Sequence, residues 1–292
     1  PRPIAFIGGG FISFEFAHFA ARLGGMAGQI HILEAGDRAL GPFDKDMVAQ
    51  LVKASEQDGI QVRTGVSVTS VTRNGDEFTV HFKSGPSLVV DQVVNSAGRI
   101  PNIDPLSLDT AGIESSRKGI AVNRSMQTSV PTVFAIGDCA DTVMLARVAD
   151  MEAHVAARSI MAMENGNDLP AMDYRAVPAV LFTYPQLGMV GKTEETLQQE
   201  DTAYWKSFET GVNWPTYRRI GMKHAGYKLL TDKNGCILGA HFLGDNTTGL
   251  VNTFKQAMLD NTLVKKIRDD HIMAPYPSRE SDILYMLDSL ME

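Results

Sequence analysis

The chain has 292 residues, of which 44% are hydrophobic and 21% charged, so it can form two or three globular units and is neither disordered nor fibrous. Its formal net charge of −7, with no run of lysine or arginine, disfavours nucleic-acid binding. No apolar run reaches the roughly eighteen residues that a membrane-spanning helix needs, so we expect no membrane partner.

The ends and the cysteines of the chain suggest its context. The opening, Pro1 to Pro3, has the features of neither a signal peptide nor a transit peptide, and we predict a cytoplasmic protein. The next four residues already have the pattern of a buried strand, so we expect a piece of a longer protein. Cys139 and Cys236 lie far apart, without zinc or disulfide spacing, which predicts two buried free thiols.

The predicted elements begin with a strand, a glycine-rich turn and a helix that ends at Gly24-Gly25. Alternating segments around the turn signal Asn74-Gly75 predict hairpins, and beyond Pro170 short strands followed by helices predict an α+β unit. The predicted strands cover residues 4–7, 29–34, 66–73, 77–83, 87–96, 133–136, 179–182, 187–190, 227–231 and 236–243; the predicted helices cover 11–23, 44–58, 147–165, 246–260 and 279–290.

A glycine motif lies where the first predicted strand meets the first helix. Gly8 allows a tight turn, Gly10 leaves room for a pyrophosphate to approach the backbone, and the small Ser13 lets the helix pack closely on the strand. The helix N-terminus offers free N–H groups and a positive dipole end to phosphates. The motif therefore predicts a Rossmann-type dinucleotide site, with a simple glycine-rich turn as the alternative.

Glu34 ends the second predicted strand, 24 residues after Gly10. An acid at this position accepts hydrogen bonds from the adenosine ribose and repels a 2′-phosphate, so the sequence favours NAD(H) over NADP(H). Arg38 lies close enough in sequence to weaken that preference. The alternative is an ordinary solvated carboxylate at a strand end.

Four segments in order resemble the pyridine nucleotide-disulfide oxidoreductase family, the flavoproteins that include glutathione reductase, lipoamide dehydrogenase and mercuric reductase. They are IGGGFI (7–12) with Glu15, SAGRIPN (96–102), VFAIGD (133–138), and FTYPQLG (182–188) with Val190-Gly191. The resemblance implies a mixed α/β protein with a Rossmann-like NAD(P)-binding domain (1–104), the second part of an FAD-binding domain (105–172) and an α+β dimerisation domain (173–292), which forms a homodimer.

The resemblance also implies roles for single residues. Asp138 would bind the FAD ribityl chain, with a helix N-cap as the alternative. Phe11 would cover the flavin until nicotinamide displaces it, with a core aromatic as the alternative. The resemblance implies that Glu15 lies near nicotinamide and flavin, and an apolar helix face seldom carries a carboxylate without a partner. The implied cofactor-binding residues are Gly8, Gly10, Phe11, Ile12, Ser13, Glu15, Glu34, Ala97, Gly98, Gly137, Asp138 and Ala146.

The chain departs from the family in two ways. It carries neither the first FAD-binding half nor a redox-active cysteine pair, so we expect that it binds FAD weakly by itself and cannot perform dithiol chemistry. Tyr276 stands where the family has a catalytic histidine, and Glu280 falls one residue short of the usual acid. A phenol is a weaker proton donor than an imidazole near neutral pH. A tyrosine packed at a dimer interface is the alternative.

The resulting prediction is an NAD(P)H-dependent FAD oxidoreductase, present here as an inactive portion, that passes hydride from nicotinamide to FAD and on to a small disulfide-type or related acceptor. Tyr276 and Glu280 are the candidate catalytic residues, and no metal site is predicted because the histidines, including His241 and His271, lack partners at ligand spacing. The alternatives are a cysteine-free transhydrogenase or mercuric-reductase-like enzyme, and a non-catalytic NADH-binding subunit.

Overall fold

The computed structural model describes residues 3–24 and 29–291 of the chain. The predicted helix end at Gly25 and the opening residues Pro1 and Arg2 lie outside this range. The chain forms two compact units, one from residues 1–98 together with 176–292 and the other from residues 99–175. The predicted mixed α/β class is confirmed.

The N-terminal segment contains a parallel sheet and a smaller antiparallel sheet. The parallel sheet has the order β3-β2-β1-β7, and β4, β5 and β6 form the antiparallel sheet. All four residues of β2 are buried, as expected for a central strand covered on both faces. The elements are β1 (Ile4–Ile7), α1 (Phe11–Arg22), β2 (Ile30–Leu33), α2 (Lys45–Gln57), β3 (Ile60–Arg63), β4 (Val68–Asn74), β5 (Glu77–Phe82), β6 (Leu88–Val90) and β7 (Gln92–Asn95).

The predicted single segment 87–96 is wrong, because the structure divides it between two sheets. β6 pairs antiparallel with β5, whereas β7 pairs parallel with β1, with Ile4 opposite Gln92 and Ile7 opposite Asn95. Two short strands separated by one residue produce the same apolar pattern as one strand, so periodicity alone does not separate them.

The unit of residues 99–175 has a long helix and little sheet. Its elements are β8 (Ser115–Ser116), β9 (Gly119–Ile120) and α3 (Ala146–Glu164). The predicted strand 133–136 is wrong: Phe134 makes one isolated bridge with Gln127, and a 3-10 turn follows at Gly137–Cys139. The N–H of Val133 donates to the carbonyl of Val130 at 2.9 Å, which closes a turn that places Phe134 opposite Gln127.

The C-terminal segment confirms the predicted α+β character. Its five strands form an antiparallel sheet in the order β10-β11-β14-β13-β12. The sequence prediction missed β12, α4, α5 and α7, and α8 is shorter than the predicted helix 279–290. The elements are β10 (Pro178–Leu181), β11 (Gln186–Gly191), α4 (Glu194–Gln199), β12 (Trp205–Thr210), α5 (Pro215–Arg218), β13 (Gly226–Thr231), β14 (Ile237–Gly244), α6 (Thr247–Leu259), α7 (Val264–His271) and α8 (Ile283–Leu287).

A shared hydrophobic core joins the N-terminal parallel sheet to the C-terminal sheet. Leu181, Leu187 and Leu243 from the C-terminal strands are buried in one cluster with Phe6 and Ile32. Burial of such side chains stabilises a protein by about 1.5–3 kcal/mol each. This core fixes α1 against the β10–β11 hairpin. Within the described residues, no helix combines the length and apolarity needed to cross a membrane.

Candidate functional site

The glycine loop after β1 forms a turn that only glycine tolerates at its first position. Gly8 has φ of +101°, and a Cβ there would lie 2.5 Å from the carbonyl oxygen of Ser96. Gly10 is different, because a Cβ there would have no atom within 4 Å. Gly8 is therefore required by the fold, whereas the absence of a side chain at Gly10 leaves open space in front of α1.

The N-terminus of α1 faces this space without a protein cap. Gly10 is the N-cap residue and supplies no side-chain hydrogen bond, and the first turn contains no acidic residue. The first N–H groups of a helix have no acceptor within the helix, so Phe11, Ile12 and Ser13 offer donors suited to a pyrophosphate. The Ser13 side chain is fully buried, and its Oγ lies 2.7 Å from Ser96 Oγ, which fits the predicted close packing of helix on strand.

The Glu34 carboxylate lies directly beside the glycine loop. Its Oε2 accepts a hydrogen bond from Gly9 N at 2.6 Å, and its Oε1 accepts one from Gly36 N at 2.7 Å. A carboxylate held by two backbone donors is not a freely solvated side chain. Its remaining lone pairs can accept hydrogen bonds from a sugar.

Arg38 points to protein acceptors. Its guanidinium donates to Glu195 Oε1 at 3.0 Å, to the Phe43 carbonyl at 3.1 Å and to the Gly41 carbonyl at 2.7 Å. These contacts use both terminal nitrogens, so Arg38 is engaged by neighbours other than Glu34.

Glu15 and Phe11 lie on α1 beyond the glycine loop. Glu15 Oε1 accepts a hydrogen bond at 2.9 Å from the backbone N–H of Phe182, which follows β10. This carboxylate has the partner that its position on an apolar helix requires. Phe11 is 50% exposed, so the core-aromatic alternative is wrong.

The segment after β7 runs along the same loop. A Cβ on Gly8 would lie 2.7 Å from Ala97 Cα, so the two backbones are in contact. Ala97 and Gly98 are exposed, and Gly98 has φ of +121°. Exposed backbone at this position is available to a ligand that approaches from the α1 side.

In the other unit, Asp138 lies in the 3-10 turn that begins at Gly137, which has φ of +64°. The N-cap of α3 is Leu145, so the helix-cap alternative for Asp138 is wrong. The Asp138 side chain is 56% exposed, and its Oδ2 lies 3.5 Å from Arg99 Nη1. Ala146, the first residue of α3, is also exposed.

Sequence reasoning missed Glu152, which supports this turn. Glu152 is completely buried on α3, and its Oε2 accepts a hydrogen bond from Gly137 N at 2.7 Å. The sequence pattern does indicate a buried role for Glu152, because this residue shares the helix face of the buried Val148, Val155 and Ala156. A carboxylate on such a face predicts a buried partner, as it did for Glu15.

The predicted catalytic pair lies near the end of the chain. Tyr276 is 68% exposed, and Glu280 Oε1 lies 3.3 Å from Asn246 Nδ2. The catalytic and dimer-interface interpretations of Tyr276 both stay predictions. Cys139 and Cys236 are free thiols as predicted, but they are half-buried rather than buried.

A cluster of acids outside the predicted site surrounds Lys228. Oxygen atoms of Asp44, Asp46 and Glu194 lie within 4.8 Å of one another, a spacing compatible with a cation. The ammonium of the fully buried Lys228 lies 2.8 Å from Asp44, 2.5 Å from Asp46 and 2.8 Å from Glu194. The lysine therefore supplies the positive charge that a metal ion would otherwise supply.

Comparison with protein families matches both parts of the chain. Residues 1–153 match the family described as pyridine nucleotide-disulphide oxidoreductase, and residues 177–283 match its dimerisation domain. A dihydrolipoyl dehydrogenase of Cupriavidus necator is 33% identical over 287 residues, covering 95% of this chain and 58% of the relative. A trypanothione reductase of Leishmania donovani is 32% identical over 279 residues, covering 93% of this chain and 55% of the relative.

Solved structures have the same fold. LpdA from Mycobacterium tuberculosis superimposes with a TM-score of 0.87 at 22% identity, covering all of this chain and 62% of that one. The HOCl-induced flavoprotein disulfide reductase RclA from Escherichia coli gives a TM-score of 0.86 at 23% identity, with 65% of that chain covered. The chain thus spans little more than half the length of the relatives it matches. With the family matches and the relatives above 30% identity, these findings establish that the chain belongs to the pyridine nucleotide-disulphide oxidoreductase family.

Proposed function

We propose that the glycine loop, the first turn of α1 and Glu34 bind a pyridine dinucleotide. The observation that carries this proposal is the uncapped N-terminus of α1, which opens onto the space in front of Gly10 beside a fixed carboxylate. The pyrophosphate accepts hydrogen bonds from the first-turn amides, and the ribose hydroxyls donate to Glu34.

The preferred nucleotide is NAD(H) rather than NADP(H). A 2′-phosphate at the ribose meets the negative charge of Glu34, which costs binding free energy. Arg38, the cation nearest in sequence, is already bonded to Glu195 and to the carbonyls of Gly41 and Phe43. A phosphate has to break these hydrogen bonds before it can recruit the guanidinium.

In the complete protein, the chain forms part of an FAD-dependent oxidoreductase. Bound nicotinamide and flavin supply the hydride chemistry, and the protein supplies position and electrostatics. The exposed Asp138 carboxylate accepts hydrogen bonds from hydroxyls of the flavin side chain, Gly137 shapes the turn that carries this carboxylate, and Ala146 presents its backbone N–H. The family resemblance assigns Phe11 the role of covering the flavin until nicotinamide displaces it, and it assigns Glu15 and the backbone of Ala97-Gly98 a place near nicotinamide.

The terminal acceptor is a small disulfide-type or related molecule, with Tyr276 and Glu280 as the acid-base residues. A second class of acceptor, a metal ion or a second nucleotide, is favoured by the phenol of Tyr276. This phenol is 68% exposed, and a phenol is a weaker proton donor near neutral pH than the imidazole it replaces. The working form is a homodimer that associates through residues 173–292, consistent with the dimerisation-domain match.

Calorimetric titration of this chain with NADH and NADPH tests the nucleotide proposal. We expect NADH to bind about tenfold tighter or better, and Glu34→Gln to narrow the ratio of the two affinities, because the substitution removes the charge that repels the 2′-phosphate. Glu200→Gln, which changes an exposed acid on the C-terminal segment, is the control. Equal affinities for the two nucleotides, or no binding, would contradict the proposal. In the complete protein, binding of NADH without dye reduction in the presence of FAD favours a nucleotide-binding subunit.

A further inference from the structure

Glu152 is a buried carboxylate that joins three separate segments of residues 99–175. It lies on the inner face of α3 with no solvent exposure. Its Oε2 accepts a hydrogen bond from Gly137 N at 2.7 Å, and its Oε1 accepts one from the Tyr174 hydroxyl at 2.8 Å. An ionised carboxylate is costly to bury unless such donors compensate it, so the arrangement requires both partners.

The Tyr174 hydroxyl is the donor in this network. Burial, together with the hydrogen bond to Glu152 and its charge, raises the pKa of Tyr174 above its ordinary value. The phenol therefore keeps its proton and holds one carboxylate oxygen. The other oxygen stays directed at Gly137, where a charge-assisted bond is about twice as strong as a neutral one.

The turn that receives this bond also contains a contact of Cys139 Sγ with the Ile136 carbonyl at 3.2 Å and a hydrogen bond from Ala140 N to the Gly137 carbonyl at 2.9 Å, while Glu152 holds the Gly137 N–H. Ile136, at its N-cap, supplies no side-chain hydrogen bond, and Gly137 has a φ of +64°. A Cβ at position 137 would lie 3.2 Å from Ala149 Cβ, and this tight contact together with the positive φ favours glycine. Glycine is also the residue with the greatest backbone freedom, so its conformation has to be imposed from outside. Asp138 follows directly, so the turn sets the position of its carboxylate, whose Oδ2 also lies 3.5 Å from Arg99.

We propose that Glu152 and Tyr174 are positioning residues that hold the Gly137-Asp138 turn, and with it the Asp138 carboxylate, in the orientation that binds a polyhydroxyl chain. The inference rests on the proposed role of Asp138 toward FAD. Neither Glu152 nor Tyr174 contacts the ligand. The pair fixes the backbone amide of Gly137, and the fixed amide limits the rotation of the backbone that carries Asp138.

Amide hydrogen exchange on this chain, measured by NMR, tests the positioning role without a ligand. In Tyr174→Phe and Glu152→Gln we expect exchange at Gly137 to accelerate about tenfold or more, because a hydrogen bond to a charged acceptor is weakened. Amides in the middle of α3, such as that of Val155, keep their protection. Unchanged exchange at Gly137 overturns the inference, because Glu152 and Tyr174 would then not hold the turn. An equal acceleration throughout residues 99–175 also overturns it, because the pair would then only stabilise the whole unit.

FAD titration of the same variants, followed by flavin fluorescence, tests the link to the ligand. We expect Tyr174→Phe to weaken FAD binding several-fold through the turn, and Asp138→Asn to weaken it with normal exchange at Gly137. If wild type does not bind FAD, the exchange result alone decides the positioning role. If wild type binds FAD and Asp138→Asn binds it equally well, the proposed role of Asp138 is wrong while the exchange result still decides the positioning role. If Asp138→Asn weakens FAD binding and Tyr174→Phe does not, the inference fails and the proposed function stands.

Discussion

The ammonium nitrogen of Lys228 on β13 lies 2.8 Å from Oδ2 of Asp44, the N-cap residue of α2, and both side chains are completely removed from solvent. Asp44 at the same time caps α2 by accepting from the amides of Asp46 and Met47 at 3.1 and 3.3 Å. The contact therefore ties the C-terminal sheet to the helix that follows the candidate ribose site.

Replacing Lys228 with methionine is expected to destabilise the fold by about 3–5 kcal/mol, because three carboxylates lose their buried counter-charge. Lys206→Met is the matched control. Lys206 also contacts Glu194, at 2.8 Å, but its side chain is 39% exposed, so its loss costs about 1 kcal/mol or less. Urea unfolding followed by circular dichroism measures both changes. Similar losses in the two variants would contradict the central role of Lys228.

Substitutions of Gly8 and Gly10 in the nucleotide loop are expected to have different effects, one on stability and the other on NADH affinity. Gly8→Ala places a Cβ 2.5 Å from the Ser96 carbonyl at a positive φ, so we expect a loss of about 2 kcal/mol or more of stability. The backbone at Gly10 is extended, with φ of −86° and ψ of −178°, and a Cβ there has open space around it. We therefore expect Gly10→Leu to retain the fold while the leucine side chain fills the space proposed for the pyrophosphate. Thermal unfolding and NADH titration separate the two effects.

Gly41→Leu is the control for this pair, because its Cβ also has no atom within 4 Å. It should keep both the stability and the NADH affinity of the wild type. NADH affinity that is unaffected in Gly10→Leu would remove the basis for the nucleotide site.

Protonation of Glu194 in acid is expected to lower the free energy of unfolding. Burial alone would raise its pKa, but hydrogen bonds from Lys206, Lys228 and Tyr204 prevail and lower the pKa of Glu194 to about 2. The unfolded chain has the ordinary value of 4.5, so this contribution is complete above pH 4.5 and is lost as the pH falls toward 2. In Glu194→Gln, stability at pH 7 is lower and its dependence on pH below 4.5 is weaker.

Unfolding free energies measured between pH 2 and 7 check this expectation. Glu200→Gln is the control, since the side chain of that glutamate is 43% exposed in its pair with Lys192. A slope below pH 4.5 that is the same in Glu194→Gln and wild type would disprove the assignment.

Protonation of His18 is expected to lower the stability of the fold in a second, higher pH range. Ser55 Oγ donates to the Leu51 carbonyl at 2.8 Å, so it accepts from His18 Nε2 at 3.0 Å, and Nδ1 is left to accept from Arg22 at 3.2 Å. Burial and the nearby Arg22 charge lower the pKa of His18 from 6.5 to about 4. The unfolded chain binds the extra proton in this interval, so stability is complete above pH 6.5 and falls as the pH drops toward 4.

His18→Gln is therefore expected to reduce the slope of stability against pH between 4 and 6.5. The slope does not vanish, because burial also lowers the pKa of His31, His224 and His241. His154→Gln, at an exposed position on α3, is the control. Equal slopes in the two variants would show that His18 is not held neutral.

The loop at Gly8 and Gly10 could be predicted from the sequence because its determinants are local. A tight turn, a small residue at Ser13 and an acid at the end of the next strand lie within one βαβ segment, and steric limits on the backbone fix their arrangement. The same local logic located α1, α2, α3 and most strands of the C-terminal sheet.

Only the tertiary structure decided which distant groups meet. Lys228 lies 184 residues from Asp44 and 34 from Glu194, and the alternation of its strand gives no indication of either partner. The division of 87–96 between two sheets depended on which strand edge was available to β7, and the role of Glu152 depended on a turn 15 residues away. Periodicity encodes which face of an element is buried. It does not encode which polar groups are buried opposite one another, since their pairing is set by strand order and by the need to compensate each buried charge.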